Sequence, residues 1–245
     1  MKKLFPFLFA LTMGLGTANA ETLRVATTPN STPFGFLNAQ SNTIEGLMPD
    51  VITAIGKELG VTVDIQAMPF GSLIPALTSK RVDLVAAGMF ATDERRKVVN
   101  FSDTVYTFGE GLVVQKKDTT PYTSYEDLKG QIVGAQIGTV YLIKLKDSGL
   151  FSEVKAYESL PELMSDINTG RVKAGFGDYP IVSYHLQQGN FSNLHLVKTY
   201  RPFLEGSIAF AIHKDQLELL ERINTALATI KANGQLDQII QKWGL

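Results

Sequence analysis

The fold is decided around residues 87–97, which read AGMFATDERRK and follow the apolar run Val82 to Ala87. That run is typical of a buried strand. Thr92 is a good helix N-cap, and the acidic residues after it suit the positive end of a helix dipole. A strand, a glycine-containing turn and a helix N-terminus leave backbone N–H groups free to bind an anion. Arg95 could grip a carboxylate through two parallel hydrogen bonds, although pairing with a surface acid such as Asp93 is the commoner use of an isolated arginine.

The N-terminus, residues 1–20, is typical of a secretory signal. Lys2 and Lys3 precede a short apolar core, and a small-residue cleavage motif ends at Ala20. The apolar core is too short to cross a membrane. Residues 21–245 remain for the fold, which is enough for one large domain or two modest lobes.

Composition argues against several classes of protein. The formal charge of −1 becomes −3 once Lys2 and Lys3 are removed, and no run of basic residues follows. We therefore expect neither nucleic acid binding nor direct membrane insertion. The chain has no cysteine, so it must be stable without disulfides, and no lipid can be attached to a cysteine at the cleavage site. These facts favour a free protein of a bacterial periplasm, and we expect it to be a monomer.

Strands alternate with helices in the first half of the chain. Strands are predicted over Thr22 to Thr27 and Val61 to Ala67, with a helix from Pro49 to Leu59 between them. Turn formers fill residues 28–33, and a loop at the end of a strand is where open α/β sheets bind ligands. Strands that alternate with helices imply parallel strands with right-handed crossovers, and therefore an α/β lobe.

A second unit begins after a break at Thr120-Pro121. Gly138-Thr139 follows a predicted strand and opens a helix, which repeats the anion-binding geometry of the first unit. Asp178 ends a later strand and should face the same side as Gly138-Thr139, although it could simply cap the helix that follows. Further caps and strands are predicted at Thr123-x-x-Glu126, Ser159-x-x-Glu162, Ile208 to His213 and Asp215-x-x-Glu218.

Nearly all of residues 21–245 resemble the periplasmic solute-binding proteins of polar amino-acid ABC transporters. The resemblance depends on the order and spacing of several short motifs. These are Pro33-Phe34, Leu73-Ile74-Pro75-Ala76-Leu77, Ala87-Gly88-Met89, Thr92-x-Glu94-Arg95, Phe101-Ser102-Asp103, Gly138-Thr139, Gly170-Arg171-Val172, Asp178-Tyr179-Pro180 and Lys242-Trp243-Gly244-Leu245.

The resemblance implies a two-lobed α/β fold, the type II periplasmic binding protein fold, with the ligand cleft between the lobes. Residues 21–114 and 206–245 would form the first lobe, and residues 115–205 the second. The two hinge segments are expected near Val113 to Lys117 and Leu204 to Ile208. The implied function is binding of an amino acid or a close derivative and its delivery to a membrane permease, without a cofactor.

The resemblance also assigns binding roles to individual residues. Arg95 matches the arginine that clamps the ligand α-carboxylate, and Asp178 matches the acid that takes the α-ammonium group. The other expected ligand contacts are Thr92, Gly88, Phe90, Phe70, Thr139 and Val140. A zwitterion needs one fixed cation and one fixed anion, and here they belong to opposite lobes, so the ligand itself would drive closure.

Three positions depart from the usual pattern of these proteins. Ser31 stands where many relatives have an aromatic residue, Thr28 where many have aspartate, and Phe90 where serine or threonine is common. The change at Thr28 removes the anion that often meets a cationic side chain. We therefore expect a neutral amino acid or an unusual derivative rather than lysine, arginine or histidine.

Two other functional classes stay open. An enzyme on this scaffold, such as a relative of cyclohexadienyl dehydratase, needs an acid or base beyond Asp178, and Glu45 and Glu205 are the loosely placed candidates. A ligand-sensing module would usually be joined to a membrane span or a kinase. We do not expect a metal site, because His185, His195 and His213 lack ligand-like spacing.

Overall fold

The computed structural model of the protein describes residues 21–245, and the predicted signal segment, residues 1–20, lies outside the described residues. The strands are β1 Thr22–Thr27, β2 Asn30–Ser31, β3 Gly35–Asn38, β4 Thr43–Glu45, β5 Thr62–Ala67, β6 Leu84–Val85, β7 Val99–Phe101, β8 Tyr106–Gln115, β9 Ile132–Gln136, β10 Glu153–Tyr157, β11 Ala174–Asp178, β12 Leu194–Leu196, β13 Glu205–Ile208 and β14 Ala211–His213. The helices are α1 Leu47–Leu59, α2 Leu73–Thr78, α3 Asp93–Arg96, α4 Val140–Ser148, α5 Leu160–Asn168, α6 Tyr179–Gln187, α7 Leu217–Ala232 and α8 Gln235–Lys242. Short 3-10 turns cover Phe70–Ser72 and Tyr125–Leu128.

The first lobe is built on a five-stranded sheet with the order β5-β1-β6-β14-β7. β1 is parallel to β5 and β6, as the alternation of strands and helices predicts. β14 comes from the end of the chain and lies antiparallel between β6 and β7. Helices α7 and α8 pack against α1, so both ends of the described chain contribute to this lobe.

The second lobe is built on a sheet with the order β10-β9-β11-β8-β12. β9 is parallel to both β10 and β11. The carboxyl ends of β9 and β11 therefore meet at one edge of the sheet, and α4 and α6 begin there. This arrangement brings the turn before α4 close to Asp178 at the end of β11.

β8 crosses from one lobe to the other. Its first residues pair with β13, with Gly109 opposite Glu205. From Glu110 onward it pairs with β11, and Val113 lies opposite Gly175 in the second-lobe sheet. β13 lies where the second crossing is expected, whereas β8 enters the second lobe before the expected first crossing near Val113 to Lys117.

Sequence-predicted caps are confirmed at three helix starts. The side-chain oxygens of Thr92, Thr139 and Ser159 each accept a hydrogen bond from the backbone N–H three residues later. Gly60 ends α1 in the left-handed conformation, with φ of 68°, as a C-terminal glycine should. Each of these signals acts within one turn of chain.

Two predicted caps are wrong. The capping box expected at Thr123-x-x-Glu126 forms one residue later, because the Asp127 carboxylate accepts the N–H of Ser124 at 3.1 Å. Asp215 does not cap α7, because the N-cap position of this helix is Gln216, one residue later.

The strand predicted over Ile208 to His213 is divided in the structure. Ile208 is the last residue of β13 and pairs with Tyr106 of β8, whereas Ala211 to His213 form β14 in the first-lobe sheet. The small sheet β2-β3-β4 and the strand β10 are additional elements that the sequence analysis did not predict.

Candidate functional site

A cleft between the two lobes brings most of the expected ligand contacts together. The first lobe contributes Ser31, Phe70, Gly88, Phe90 and Arg95, and the second contributes Gln136, Thr139, Val140, Tyr141 and Asp178. Eight of the ten residues expected from the sequence are among them.

Arg95 is held in place by the start of α3. The N–H of Arg95 donates to the Thr92 hydroxyl at 3.3 Å, and this cap fixes the turn that carries the guanidinium group. Nη1 donates to the carbonyl oxygen of Phe90 at 2.8 Å. Nη2 donates across the cleft to the carbonyl oxygen of Gly138 at 3.0 Å. The guanidinium carbon also lies 5.6 Å from the centre of the Phe70 ring, within the range of a cation–π contact.

The charge of Arg95 is retained although the side chain is only 9% exposed. Burial lowers the pKa of Arg95 to about 10, while the negative charge of Asp178 opposes this shift. Arg95 is therefore a fixed, desolvated cation at neutral pH, with donors left over for an anion.

Asp178 ends β11 on the opposite side of the cleft. Its side chain makes no capping hydrogen bond to α6, so its role as a simple helix cap is excluded. Oδ1 instead accepts a hydrogen bond from the hydroxyl of Tyr141 at 2.7 Å. Desolvation raises the pKa of Asp178 to about 7, against the lowering effects of Tyr141 and Arg95.

Tyr141 and Gln136 line the cleft although the sequence analysis did not single them out. Tyr141 lies in the first turn of α4, directly after Val140, and Gln136 is the last residue of β9. Their positions beside Gly138-Thr139 are the signal that could have identified them, because the end of a strand and the first turn of the next helix border the same site.

Phe90 belongs to the core and to the cleft at once. Its ring lies 4.8 Å from that of Phe108 in β8 and 6.1 Å from that of Tyr141 in the second lobe, measured between ring centres. A Cβ atom on Gly206 would lie 2.9 Å from the Phe90 ring. Gly206 is therefore the residue of β13 that leaves room for this ring.

Two expected contacts lie outside the cleft lining. Thr28 is buried, and its hydroxyl has no hydrogen-bond partner among residues 21–245. The Thr92 hydroxyl accepts the capping bond to Arg95, so Thr92 supports the guanidinium group from behind. Of the three departures from the usual pattern, Ser31 and Phe90 face the cleft and Thr28 does not.

The histidines and the candidate acids of an enzyme lie elsewhere. His195 contacts the carbonyl oxygen of Asp118, and His213 lies beside Asp215. Glu45 accepts hydrogen bonds from Ser41 and Asn38 in the small sheet. Within the described part of the chain, no three histidine or acidic residues are grouped as metal ligands would be. No helix among residues 21–245 is long and apolar enough to span a membrane.

Known proteins share both the sequence and the fold of this chain. An ABC transporter arginine-binding protein of Escherichia coli K12 is 31% identical over 244 residues, which cover 99% of each chain. The arginine-binding extracellular protein ArtP of Bacillus subtilis is 32% identical and covers 96% of this chain and 92% of its own.

Solved structures of an ancestral arginine-binding protein, bound to arginine and to glutamine, are 37% identical, cover 91% of this chain and 97% of their own, and have TM-scores of 0.83 and 0.82. An ancestral amino-acid-binding protein described as a precursor of cyclohexadienyl dehydratase is 31% identical and covers 91% of this chain and 95% of its own, with a TM-score of 0.81. The family model of the bacterial extracellular solute-binding proteins, family 3, matches residues 23–245. The protein belongs to this family.

Proposed function

We propose that the protein binds a free amino acid in the cleft and delivers it to the permease of an ABC transporter. One observation carries this proposal: Arg95 and Asp178 come from opposite lobes and line the same cleft. Arg95 would bind the α-carboxylate and Asp178 the α-ammonium group. Gly88, Phe90, Thr139 and Val140 would surround these groups, with Phe70 against the ligand side chain.

The electrostatics of the cleft support a zwitterionic ligand. Arg95 and Asp178 each influence the pKa of the other, yet no hydrogen bond joins them within the described residues. Each charge is desolvated and has capacity for a further partner. A zwitterion supplies both partners in one molecule and is favoured most when the lobes are closed.

The ligand side chain is expected to be neutral. Relatives are named for arginine, but Asp178 is the only acid among the cleft-lining residues of this chain that the structure describes. A cationic side chain would therefore lack a carboxylate partner there, and it would compete for the one that holds the ammonium group. Ser31 and Phe90 leave a site that is part polar and part aromatic.

Binding rather than catalysis is the activity that we propose. An enzyme at this site would need a second acid or base in addition to Asp178. Neither of the candidates, Glu45 and Glu205, lines the cleft. We also propose that the protein is exported to the periplasm and is a monomer. Incubation of the purified protein with each ligand that it binds, followed by product analysis, would expose any turnover.

A thermal-shift screen against free amino acids tests the proposal, because a ligand that binds only the folded state raises the melting temperature. Calorimetry on Arg95→Ala and Asp178→Asn should then show losses of about 2–5 kcal/mol, which is roughly thirty- to several-thousand-fold in affinity. The matched controls are Arg96→Ala, next to Arg95 but outside the cleft, and Asp166→Asn in the second lobe. Melting curves that do not change across the whole panel would contradict amino acid binding.

A further inference from the structure

Tyr141 makes a buried contact with the proposed ammonium-binding acid. Its side chain is 2% exposed, and its hydroxyl donates to Oδ1 of Asp178 at 2.7 Å. Among the residues that the structure describes, no other group donates a hydrogen bond to this carboxylate. The second oxygen, Oδ2, has no hydrogen-bond partner among residues 21–245.

Three charged or titratable groups surround the Asp178 carboxyl group. Tyr141 faces it from α4, Arg95 from the first lobe, and Glu110 from the neighbouring strand β8, where the two residues lie directly opposite each other. The Glu110 carboxylate repels a negative charge on Asp178, whereas Tyr141 and Arg95 stabilise it. Tyr141 is the partner from the same lobe, so its contact does not depend on closure of the cleft.

We propose that Tyr141 is a positioning residue for the ligand ammonium group: its hydroxyl holds one oxygen of Asp178 and leaves the other to face the cleft. This inference rests on the proposed binding of an amino acid. A carboxylate fixed through one oxygen meets an ammonium group in a single orientation, without the entropic cost of ordering it during binding.

The ring of Tyr141 is itself fixed by aromatic contacts from both sides. It packs edge-to-face against Phe90, with 6.1 Å between ring centres, and against Phe203 at 6.2 Å. Burial and the charge of Asp178 raise the pKa of Tyr141 well above its ordinary value. The hydroxyl therefore remains protonated around neutral pH and can donate to Asp178 when that carboxyl group is ionised.

The second lobe supplies a matched control for the test. The hydroxyl of Tyr157 donates to Oδ2 of Asp166 at 2.9 Å, and neither residue lines the cleft. Tyr157→Phe therefore removes the same kind of bond from the same lobe, away from the site. Tyr141→Phe keeps the ring that contacts Phe90 and Phe203, so the variant should fold, as circular dichroism would verify.

The experiment has one arm without ligand and one with it. In the first arm, carbon-13 NMR follows the ionisation of the Asp178 carboxyl group in the ligand-free protein, with Asp178→Asn used to assign the signal. In the second, calorimetry measures affinity for L-glutamine and L-arginine between about pH 6 and pH 9. We expect Tyr141→Phe to raise the midpoint of the Asp178 titration and to weaken binding about tenfold at neutral pH. The loss should shrink as the pH rises, and Tyr157→Phe should change neither quantity.

The two arms separate failure of this inference from failure of the proposed function. An Asp178 midpoint that does not move in Tyr141→Phe, or a midpoint that moves while affinity stays the same, would overturn the positioning role. If the wild-type protein bound no amino acid at all, the proposed function would fail, and the role in ammonium binding would fail with it.

Discussion

Gly71 and Gly138 meet across the cleft so closely that a Cβ atom on Gly138 would lie 2.8 Å from the Cα atom of Gly71. The two residues belong to opposite lobes. Gly138 also has φ of 79°, which favours glycine for a separate reason. Gly71 has no such backbone requirement, so the close approach of the lobes is what a side chain there would disturb.

The variant Gly71→Ala should weaken ligand binding without changing the stability of the ligand-free protein. Its new methyl group would lie 3.1 Å from Cγ2 of Ile137 in the second lobe, a contact that exists only when the lobes are together. Overpacking costs about 1–3 kcal/mol. The methyl group of Ile137 can move slightly to relieve this contact. We therefore expect a cost near the lower end of that range, about 1 kcal/mol, which is a roughly fivefold loss of affinity. Calorimetry and melting curves measure the two effects.

Ser72→Ala is the control, since it changes the same turn without facing Gly138. A Gly71→Ala variant that bound as tightly as the wild type would contradict the view that this contact limits closure.

Ligand affinity should depend on pH through Asp178. The pKa of this carboxyl group is raised to about 7 in the ligand-free protein, and an ammonium group binds the ionised form. Binding therefore lowers the pKa, so affinity should rise about tenfold per pH unit below neutrality and level off above it. Calorimetry in buffers of different ionisation enthalpy would also detect the released proton.

The variant Asp178→Asn should bind weakly at every pH, without this slope, and Asp166→Asn should behave as the wild type. An affinity that is constant between about pH 5 and pH 7 would show that Asp178 does not titrate on binding.

The ring of Phe90 should limit the size of the ligand side chain. Phe90→Leu opens the floor of the cleft beside Gly206, so we expect the preference to shift toward longer side chains. The substitution should cost about 1–2 kcal/mol of folding free energy, less than the 3–5 kcal/mol typical of truncating a phenylalanine to alanine. Competition among amino acids in a thermal-shift panel measures the preference.

Phe176→Leu provides the comparison, because Phe176 is fully buried in the second lobe and does not line the cleft. It should lower stability without changing the order of preferred ligands. If Phe90→Leu and the wild type preferred ligands in the same order, Phe90 would be only a core residue and would not select the ligand.

The stability of the protein should depend on Glu110, which joins strand β8 to the segment before β13. This carboxylate is 1% exposed and accepts hydrogen bonds from the N–H groups of Phe203 and Leu204 and from the hydroxyl of Tyr200. Glu110→Ala leaves one buried donor, the Tyr200 hydroxyl, and two part-buried N–H donors unpaired, at up to about 1–3 kcal/mol each before the structure relaxes. Urea unfolding should therefore show a loss of several kcal/mol, whereas Glu126→Ala, an exposed acid of the same lobe, should lose little. Equal stability of the two variants would contradict this role.

Local signals explain which parts of the fold could be predicted. Thr92, Thr139 and Ser159 cap helices as expected, because each bond joins residues three positions apart. The cap expected at Asp215 does not form, because α7 begins one residue later and places Gln216 at the cap position. The run of apolar residues in β8 does not indicate which of the two sheets the strand joins, because that depends on residues far away in the chain.

The sequence by itself determined the alternation of strands and helices, most helix caps, and a charged residue beside each of two predicted anion-binding turns. These properties arise from neighbouring residues and from apolar periodicity, so they are present before the chain folds. The family resemblance predicted that Arg95 and Asp178 share one cleft, but only the tertiary structure decided that Tyr141 holds Asp178 and that Gly71 meets Gly138. Those contacts join segments that are far apart in the chain, and their geometry depends on how the two crossings bring the lobes together.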